Sequence, residues 1–374
     1  MKKYFYQKKS LILILVLGIA LLSYSCSDKN SNPLQPSVST GIIDADDPNI
    51  QYVGRFGRSN LKKAVFDWPG VYIHATFKGT RCSIRLNDGK NLYAVTIDDQ
   101  EPQVLQTDTS AVYSVATGLY DTLHTILIEK RTEASIGKGE FLGFILDEER
   151  NLVTPNSVRG RRIEFIGNSI TCGYGVEGEN ASSPFTPETE SATLSYAALI
   201  GRALSADYAM IAYSGKGVVR NYGDPNKTSP EPMPSLYDRT CCFDSTLVWD
   251  FTNWIPQVVV INLGTNDFST QPYPDKSVFQ EAYTQLINRV QSQYSEVTIF
   301  CVCGPMIGEP CASYIEEVVN GCQQNNDNKE VYYIAISTSL LTYEDRGSDW
   351  HPNIQGQQKI ADVMLPIIQD TMQW

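Results

Sequence analysis

Residues 161–175 read RRIEFIGNSITCGYG, and this stretch decides the fold. Its short apolar run Ile163–Ile166 predicts a buried strand, which Gly167 interrupts. Polar Asn168 and Ser169 follow directly. In α/β sheets, reactive groups stand where a parallel strand delivers a small polar residue to its carboxyl end. Ser169 is therefore the candidate nucleophile, and the alternative interpretation is that it only caps the following helix.

The rest of the carboxyl-terminal half alternates strand-like and helix-like segments. This alternation predicts a three-layer α/β domain, in which right-handed crossovers cover both faces of a parallel sheet. The ligand crevice should then lie at the carboxyl ends of the strands. The predicted strands are Ile163–Ile166, Tyr208–Ala212, Val258–Leu263, Val297–Val302 and Val331–Ile336, and the predicted helices are Ser195–Leu204, Val278–Tyr294 and Gln355–Ile368.

The preceding segment, residues 50–147, consists of short alternating runs separated by turn residues. In Val71–Phe77 one face is apolar, and the other carries Tyr72, His74 and Thr76. The pattern predicts strands with one buried face in an all-β sandwich of the jelly-roll type, with His74 in solvent. The predicted strands are Val71–Phe77, Cys82–Leu86, Leu92–Ile97, Ala111–Val115 and His124–Glu129.

The first residues have the pattern of an export signal. Lysines at positions 2, 3, 8 and 9 precede the apolar run Leu11–Leu22, which is short for a membrane span. The following sequence, LSYSC, ends at Cys26 and resembles the lipobox of bacterial lipoproteins, whose cysteine is acylated. We therefore expect an exported lipoprotein that is anchored in a membrane through Cys26, in the periplasm or at the cell surface. The alternative is an ordinary signal peptide with an incidental cysteine.

These patterns divide the chain into four parts. Residues 1–26 are predicted to be the lipoprotein signal peptide, and residues 27–48, which are rich in Asn, Pro and Ser, a flexible tether. Residues 49–155 are assigned to the jelly-roll domain and residues 156–374 to the α/β domain.

Composition excludes some classes of function. The 374 residues suffice for two domains with full cores, and the net charge of -12 argues against a nucleic acid partner. Nine cysteines include Cys26, and the pairing of the others cannot be deduced from their spacing. No cysteine pair has the spacing of a zinc site, so we expect no metal. We also expect no organic cofactor and a monomeric chain.

Candidate partners of Ser169 follow the later predicted strands. Gly215, in the turn SGKG, would let backbone N–H groups approach a ligand. Asn266, in GTND, could donate its amide to an oxyanion. His351 is the only one of three histidines in this domain, and it could take the serine proton near neutral pH. Asp349 could orient its imidazole.

Each of these residues also has a purely structural alternative. The glycine and the asparagine could simply form turns, the histidine could be a solvated loop residue, and the aspartate could be a cap. Trp350 and Tyr174 are candidates for contact with a sugar ring, and for the tryptophan packing is the alternative.

Taken together, GNSIT, SGKG, GTND and DWHP occur in the order of the four blocks of the SGNH (GDSL-like) hydrolases. The resemblance covers Arg161–Trp374 and implies a flavodoxin-like parallel sheet. More narrowly, the chain resembles carbohydrate esterase family 2, which joins a jelly-roll domain to an SGNH domain and removes acetyl groups from plant polysaccharides. Phe66–Gly70 and His124–Glu133 resemble stretches of that family's jelly-roll domain.

The resemblance implies roles for single residues. Ser169 matches the nucleophile and His351 the base, while the Ser169 and Gly215 backbones and the Asn266 side chain match the oxyanion donors. The block GNS replaces the more common GDS, and Asp349 precedes the histidine by two positions rather than three. Some members of carbohydrate esterase family 2 work with a Ser–His dyad, so Asp349 as third member of a triad and a dyad both stay open.

The expected activity is the removal of O-acetyl groups from a polysaccharide such as acetylated xylan or glucomannan, through an acyl-enzyme and without a cofactor. One rival is an SGNH esterase that acts on lipids or bacterial glycans. A second rival is a surface lipoprotein that binds glycans without catalysis.

Overall fold

The computed structural model describes residues 41–155, 159–324 and 330–374. The predicted signal peptide, the lipidation site Cys26 and most of the tether lie outside these ranges. Within them, no helix is long and apolar enough to cross a membrane.

The first domain is a sandwich of two antiparallel sheets. Its strands are β1 (Ile42–Asp44), β2 (Gln51–Val53), β3 (Ala64–Phe66), β4 (Tyr72–Gly79), β5 (Cys82–Asn87), β6 (Leu92–Ile97), β7 (Gln103–Gln106), β8 (Val112–Ala116), β9 (Thr122–Lys130), β10 (Gly139–Ile145) and β11 (Leu152–Val153). One sheet has the order β1-β10-β5-β8, with β3 beside β10, and the other has the order β11-β4-β9-β6-β7, with β2 beside β4. Alternate side chains of both sheets, such as Phe77, Ile84 and Phe144, are fully buried between them.

The second face of β4 is covered, which corrects the prediction of a solvated face. Tyr72 is 6% and Thr76 8% exposed, and His74 is half-buried. The Tyr72 hydroxyl donates a hydrogen bond to Asp207 Oδ1 of the second domain at 2.7 Å. Period-two patterning could not reveal this cover, because the covering residues lie far away in the sequence.

The second domain is built on a parallel five-stranded sheet. Its strands are β12 (Arg161–Gly167), β13 (Ala206–Ala212), β16 (Val258–Asn262), β17 (Thr298–Cys303) and β18 (Val331–Ala335), with a separate hairpin of β14 (Arg239–Cys241) and β15 (Asp244–Val248). The order β13-β12-β16-β17-β18 is that of a flavodoxin-like sheet, whose ligand crevice lies at the switch point between the first and third strands. The predicted combination of a β-sandwich and a parallel α/β domain is confirmed.

Six helices in the described part of the chain pack around this sheet, and the longer ones bury one apolar face each. They are α1 (Ser169–Cys172), α2 (Tyr196–Ala203), α3 (Thr265–Phe268), α4 (Lys276–Gln293), α5 (Cys311–Gln324) and α6 (Ile354–Met372). Short 3-10 turns occupy Pro187–Thr189, Ala192–Leu194, Met233–Leu236, Phe251–Asn253, Tyr343–Asp345 and Ser348–Trp350. In α4, Phe279, Tyr283 and Leu286 recur at helical spacing and are buried. The sequence interpretation missed α5 and the β14–β15 hairpin.

Buried polar contacts join the two domains. Arg55 Nη2 of the first domain lies 3.3 Å from Glu164 Oε2 in β12, and both side chains are 1% exposed. Asp67 accepts a hydrogen bond from the backbone N–H of Cys242 at 2.8 Å. Because β12 also carries Ser169 at its carboxyl end, the first domain supports the strand that positions the candidate nucleophile.

The eight cysteines at described positions are all buried and free. They behave as small apolar side chains of the two cores rather than as disulfide partners.

Candidate active site

Ser169 stands at the switch point of the sheet. β12 ends at Gly167, level with Ala212 of β13, and Ser169 begins α1 two residues later. Asn168 caps this helix through its Oδ1 atom, which accepts a hydrogen bond from the Ile170 N–H at 3.2 Å. Since the cap is the preceding asparagine, the Ser169 side chain is left for another role, and it is 8% exposed.

Ser169 and His351 are brought together across 182 residues of sequence. Ser169 Oγ lies 2.8 Å from His351 Nε2. His351 Nδ1 lies 3.0 Å from the backbone carbonyl oxygen of Asp349, which can only accept a hydrogen bond. The proton of the neutral ring is therefore on Nδ1, and Nε2 is the free acceptor for the serine proton. This pair has the geometry of an activated nucleophile and its general base.

The segment before His351 adopts a backbone conformation that is rare for residues other than glycine. Asp349 has φ 49° and Trp350 has φ 64°, both left-handed. Their N–H groups donate to the carbonyl oxygens of Ser183 and Ala181, each at 3.0 Å. Such backbone strain persists where the surroundings fix it. Here it directs the Asp349 carbonyl, rather than the carboxylate, at the imidazole.

The Asp349 carboxylate instead contacts Tyr174, whose hydroxyl donates to Oδ2 at 2.9 Å. The Tyr174 ring stacks on Phe185 at 4.0 Å between centroids and lies 4.4 Å from the His351 ring. Tyr174, a candidate from the sequence for contact with a sugar ring, lies beside the histidine, and that contact stays a prediction. In the structure, the position beside the imidazole Nδ1 atom is therefore taken by a backbone carbonyl rather than by the Asp349 carboxylate.

His351 is in the protonation state that a general base needs at neutral pH. Burial lowers its pKa to about 4, although the Asp349 carbonyl and charge oppose this shift. The imidazole is therefore unprotonated at pH 7 and ready to accept the Ser169 proton.

We expect kcat/KM for an aryl acetate to stay level between pH 7 and 8, and the acid limb that belongs to His351 to appear as the pH drops through about 4. Below its pKa the imidazole is already protonated and cannot accept the serine proton, so activity is lost on the acid side. The profile should be measured together with circular dichroism, to separate acid unfolding from titration. The Asp267 carboxylate in α3 has a pKa of about 6, so the profile is also measured with Asp267→Asn. An acid limb near pH 6.5, the ordinary value for histidine, that persists in that variant would contradict the assignment.

Two further predicted residues follow β13 and β16, the strands on either side of β12. Gly215 follows β13 with φ 77°, a conformation that favours glycine, and a Cβ atom there would meet only Tyr222, at 4.0 Å. Glycine is therefore required by the backbone rather than by crowding. Asn266 lies in the first turn of α3, and its Nδ2 atom donates to the Lys216 carbonyl at 2.8 Å. This contact uses one amide hydrogen and leaves the other for a substrate oxygen.

Asp267 holds the oxyanion segments together, a role that the sequence interpretation missed. Its carboxylate accepts hydrogen bonds from the N–H groups of Val218, Val219 and Arg220 at 2.8, 2.8 and 2.9 Å. Burial raises its pKa to about 6, and these donors act in the opposite direction. At neutral pH the ionised carboxylate thus ties α3, which carries Asn266, to the loop after Gly215. The sequence signal that could have revealed this role is the position of Asp267 directly after the candidate donor Asn266 in GTND.

Replacing Asn266 by alanine is expected to lower kcat by about 10²–10³-fold, because one donor to the developing oxyanion is lost. KM should change little. Steady-state kinetics on an aryl acetate measures both, with Asn288, an exposed residue of α4, replaced by alanine as the matched control. A loss of only a few-fold would reduce Asn266 to a turn residue.

Exposed aromatic side chains border the site. Trp350, which precedes His351, is 53% exposed and packs edge-on against Tyr343 at 5.7 Å. Tyr222, whose N–H donates to the Gly215 carbonyl, is 63% exposed. Phe243 of the hairpin turn is 62% exposed and contacts Tyr213, the residue after β13. Each of these side chains offers a large apolar face to solvent.

One group of potential metal ligands occurs among the described residues: Glu133, Cys172 and Glu190. All three are buried, and Glu133 and Cys172 have protein hydrogen-bond partners. The buried Lys130 lies beside them and donates to the Glu133 carbonyl oxygen at 3.1 Å. Positive charge is thus already supplied by the protein, which does not suit a cation.

Two family profiles match the chain. The family described as Carbohydrate esterase 2 N-terminal matches residues 52–155, and the GDSL-like Lipase/Acylhydrolase family matches residues 165–359. Among relatives, the cellulase/esterase CelE of Acetivibrio thermocellus is 38% identical over 340 residues, or 88% of this chain. The chain spans 40% of the length of that relative.

An acetylxylan esterase / glucomannan deacetylase of Cellvibrio japonicus is 29% identical over 81% of this chain and 85% of its own length. The structure of a family two carbohydrate esterase from Clostridium thermocellum, in complex with cellohexaose, is 38% identical and superposes with a TM-score of 0.80. The match covers 87% of this chain and 99% of that one. This chain therefore belongs to carbohydrate esterase family 2 and carries a GDSL-like hydrolase domain.

Proposed function

We propose that this protein is a serine esterase that removes O-acetyl groups from polysaccharides such as acetylated xylan or glucomannan. The observation that carries the proposal is the 2.8 Å contact between Ser169 Oγ and His351 Nε2 at the sheet's switch point. Family membership and the names of the relatives support a carboxylic ester hydrolase that acts on acetylated glycans.

In the first half-reaction, Ser169 Oγ attacks the acetyl carbonyl carbon while His351 Nε2 takes its proton. The oxyanion accepts hydrogen bonds from the Ser169 and Gly215 N–H groups and from the second amide hydrogen of Asn266. When the tetrahedral adduct collapses, His351 gives its proton to the departing sugar oxygen. A deacetylated sugar hydroxyl leaves, and an acetyl-serine ester remains.

In the second half-reaction, water attacks the acetyl-serine while His351 takes its proton. The same donors hold the second oxyanion, and collapse returns the proton to Ser169 Oγ with release of acetate. The Asp349 carbonyl keeps the ring tautomer correct in both halves, since it accepts from Nδ1–H throughout. In this scheme, His351 accepts and returns the proton in every transfer.

The substrate surface fits a neutral carbohydrate. We infer that Trp350 offers its exposed face to a sugar ring, since sugars present apolar C–H faces that aromatic rings cover. The net charge of -12 gives no attraction for polyanionic polymers.

Acetate release by the purified fragment 41–374 from acetylated xylan, acetylated glucomannan and a deacetylated control tests the proposal. We expect release from acetylated polymers, and none from the same preparation with Ser169→Ala. A parallel series of aryl esters with acyl chains from acetyl to decanoyl separates the rivals. Preference for long chains would favour a lipid esterase, whereas binding without acetate release would favour a non-catalytic glycan-binding protein.

We also propose that Cys26 carries a lipid that anchors the chain in a membrane of a bacterial envelope. The support is the basic, apolar and small-residue pattern of residues 1–26. Metabolic labelling with a fatty acid should modify the full chain but not the Cys26→Ser variant. Absence of label in the unaltered chain would overturn the anchor without affecting the proposed chemistry.

A further inference from the structure

Glu133 connects the first domain to the oxyanion loop of the second. It lies three residues after the end of β9 and is 4% exposed. Its Oε2 atom accepts a hydrogen bond from the Ser214 N–H at 2.7 Å. Ser214 immediately precedes Gly215, so this bond anchors the peptide beside a candidate oxyanion donor.

The same carboxylate reaches the segment of the nucleophile. Oε2 is 3.5 Å from the Sγ atom of Cys172, the last residue of the helix that begins at Ser169. Its other oxygen, Oε1, accepts from the Ser135 hydroxyl at 2.7 Å. Three donors, from three different segments, therefore hold this carboxylate in place.

A second buried acid, Glu190, contacts the backbone of Glu133. Its Oε2 atom accepts from the Glu133 N–H at 2.9 Å, and its Oε1 atom is buried without a partner. Burial, reinforced by the charge of Glu133, raises the pKa of Glu190 well above its usual range. The two buried acids lie close together, and their mutual repulsion is one cause of the raised pKa of Glu190.

We propose that Glu133 is a positioning residue for the esterase, held by the first domain, which fixes the Ser214–Gly215 peptide in the orientation that the oxyanion hole needs. The inference rests on the proposed function, because it assigns Glu133 to the same reaction. Glu133 touches no reacting atom, and it acts through the loop.

Replacing Glu133 by alanine is expected to lower kcat for an aryl acetate by about 10²-fold, because a displacement of the order of 1 Å at a catalytic group costs that much. KM should stay within about threefold, since substrate binding in the ground state does not use the oxyanion donors. Glu133→Gln should recover most of the loss, because an amide oxygen can still accept from the Ser214 N–H. Unchanged kcat in folded Glu133→Ala, or no recovery by glutamine, would overturn the proposal.

Two control variants bracket the cluster. Ser135→Ala removes only the donor on Oε1 and should keep wild-type kcat. Glu190→Gln keeps the shape and an oxygen that can accept from the Glu133 N–H, so it should keep wild-type kcat too. If Glu190→Gln lost activity while Glu133→Ala did not, the assignment of the two acids would be wrong.

Two readouts do not depend on the natural substrate. A fluorophosphonate should phosphonylate Ser169, with loss of fluoride, in the unaltered protein but not in Ser169→Ala, and about 10²-fold more slowly in Glu133→Ala. Slow labelling in that variant supports the positioning role even if no acetylated glycan is hydrolysed, whereas equal labelling rates overturn it. Hydrogen exchange at the Ser214 amide of the unaltered protein covers the case of an unfolded variant: protection is expected, and free exchange overturns the proposal.

Discussion

Replacing Ser169 by alanine is expected to lower kcat for acetate release by about 10⁴–10⁶-fold, with little change in polysaccharide binding. The variant lacks the atom that forms the acetyl-enzyme, so only the oxyanion donors and bound water remain to promote hydrolysis. Burst kinetics with an aryl acetate should lose the rapid phase that reports acylation.

Ser182→Ala is the matched control, because this serine is exposed and lies in the loop that holds the strained backbone before His351. It should retain wild-type activity. Retention of more than about a tenth of the activity in Ser169→Ala would remove Ser169 from the mechanism.

Replacing His351 by alanine should cost about as much as replacing Ser169, because the hydroxyl without its base is a weak nucleophile at pH 7. The double variant Ser169→Ala/His351→Ala should be no slower than either single variant, since the two side chains act as one unit. Additive losses would mean that they act separately. His74→Ala, a half-buried histidine of the first domain, is the control.

A substitution of Asp349 distinguishes a Ser–His dyad from a Ser–His–Asp triad. Asp349→Asn keeps the left-handed backbone, which asparagine tolerates, and keeps the carbonyl that accepts from Nδ1. We expect kcat to fall by less than about tenfold, far below the loss of about 10⁴-fold seen when a triad aspartate is neutralised. A loss near that larger value would show that the carboxylate moves onto the histidine during the reaction.

Local patterns predicted much of the fold. The apolar run before Gly167 and the strand before Ser214 are found where expected, within two residues, because their side chains are buried on both faces of the sheet. α5 was missed although it buries Ile315, Val318 and Val319 on one face. Its sequence mixes cysteine, β-branched and small residues, which favour no single element.

The sequence predicted the residues that react with substrate, but not the residues whose role is to hold one segment of the site against another. Ser169 and His351 stood out as a serine after a strand and the single histidine of its domain. The Asp349 carbonyl can accept from His351 only because Asp349 and Trp350 are left-handed. Among residue types, only glycine clearly signals that conformation in a sequence. Asp267 and Glu133 act on loops 47 and 81 residues away, and pairings over such distances are invisible to local periodicity.

The Arg55–Glu164 ion pair has a consequence for how this protein can be divided. Glu164 sits inside the catalytic sheet, where Tyr237 also donates to it at 2.7 Å, yet its cation comes from the other half of the molecule. Removing one partner of such a pair leaves a buried charge without a counter-charge, which lowers the free energy of unfolding by about 3–5 kcal/mol. The α/β domain of this protein is consequently not stable as a separate unit, and a chimaera built from it has to include the β-sandwich as well.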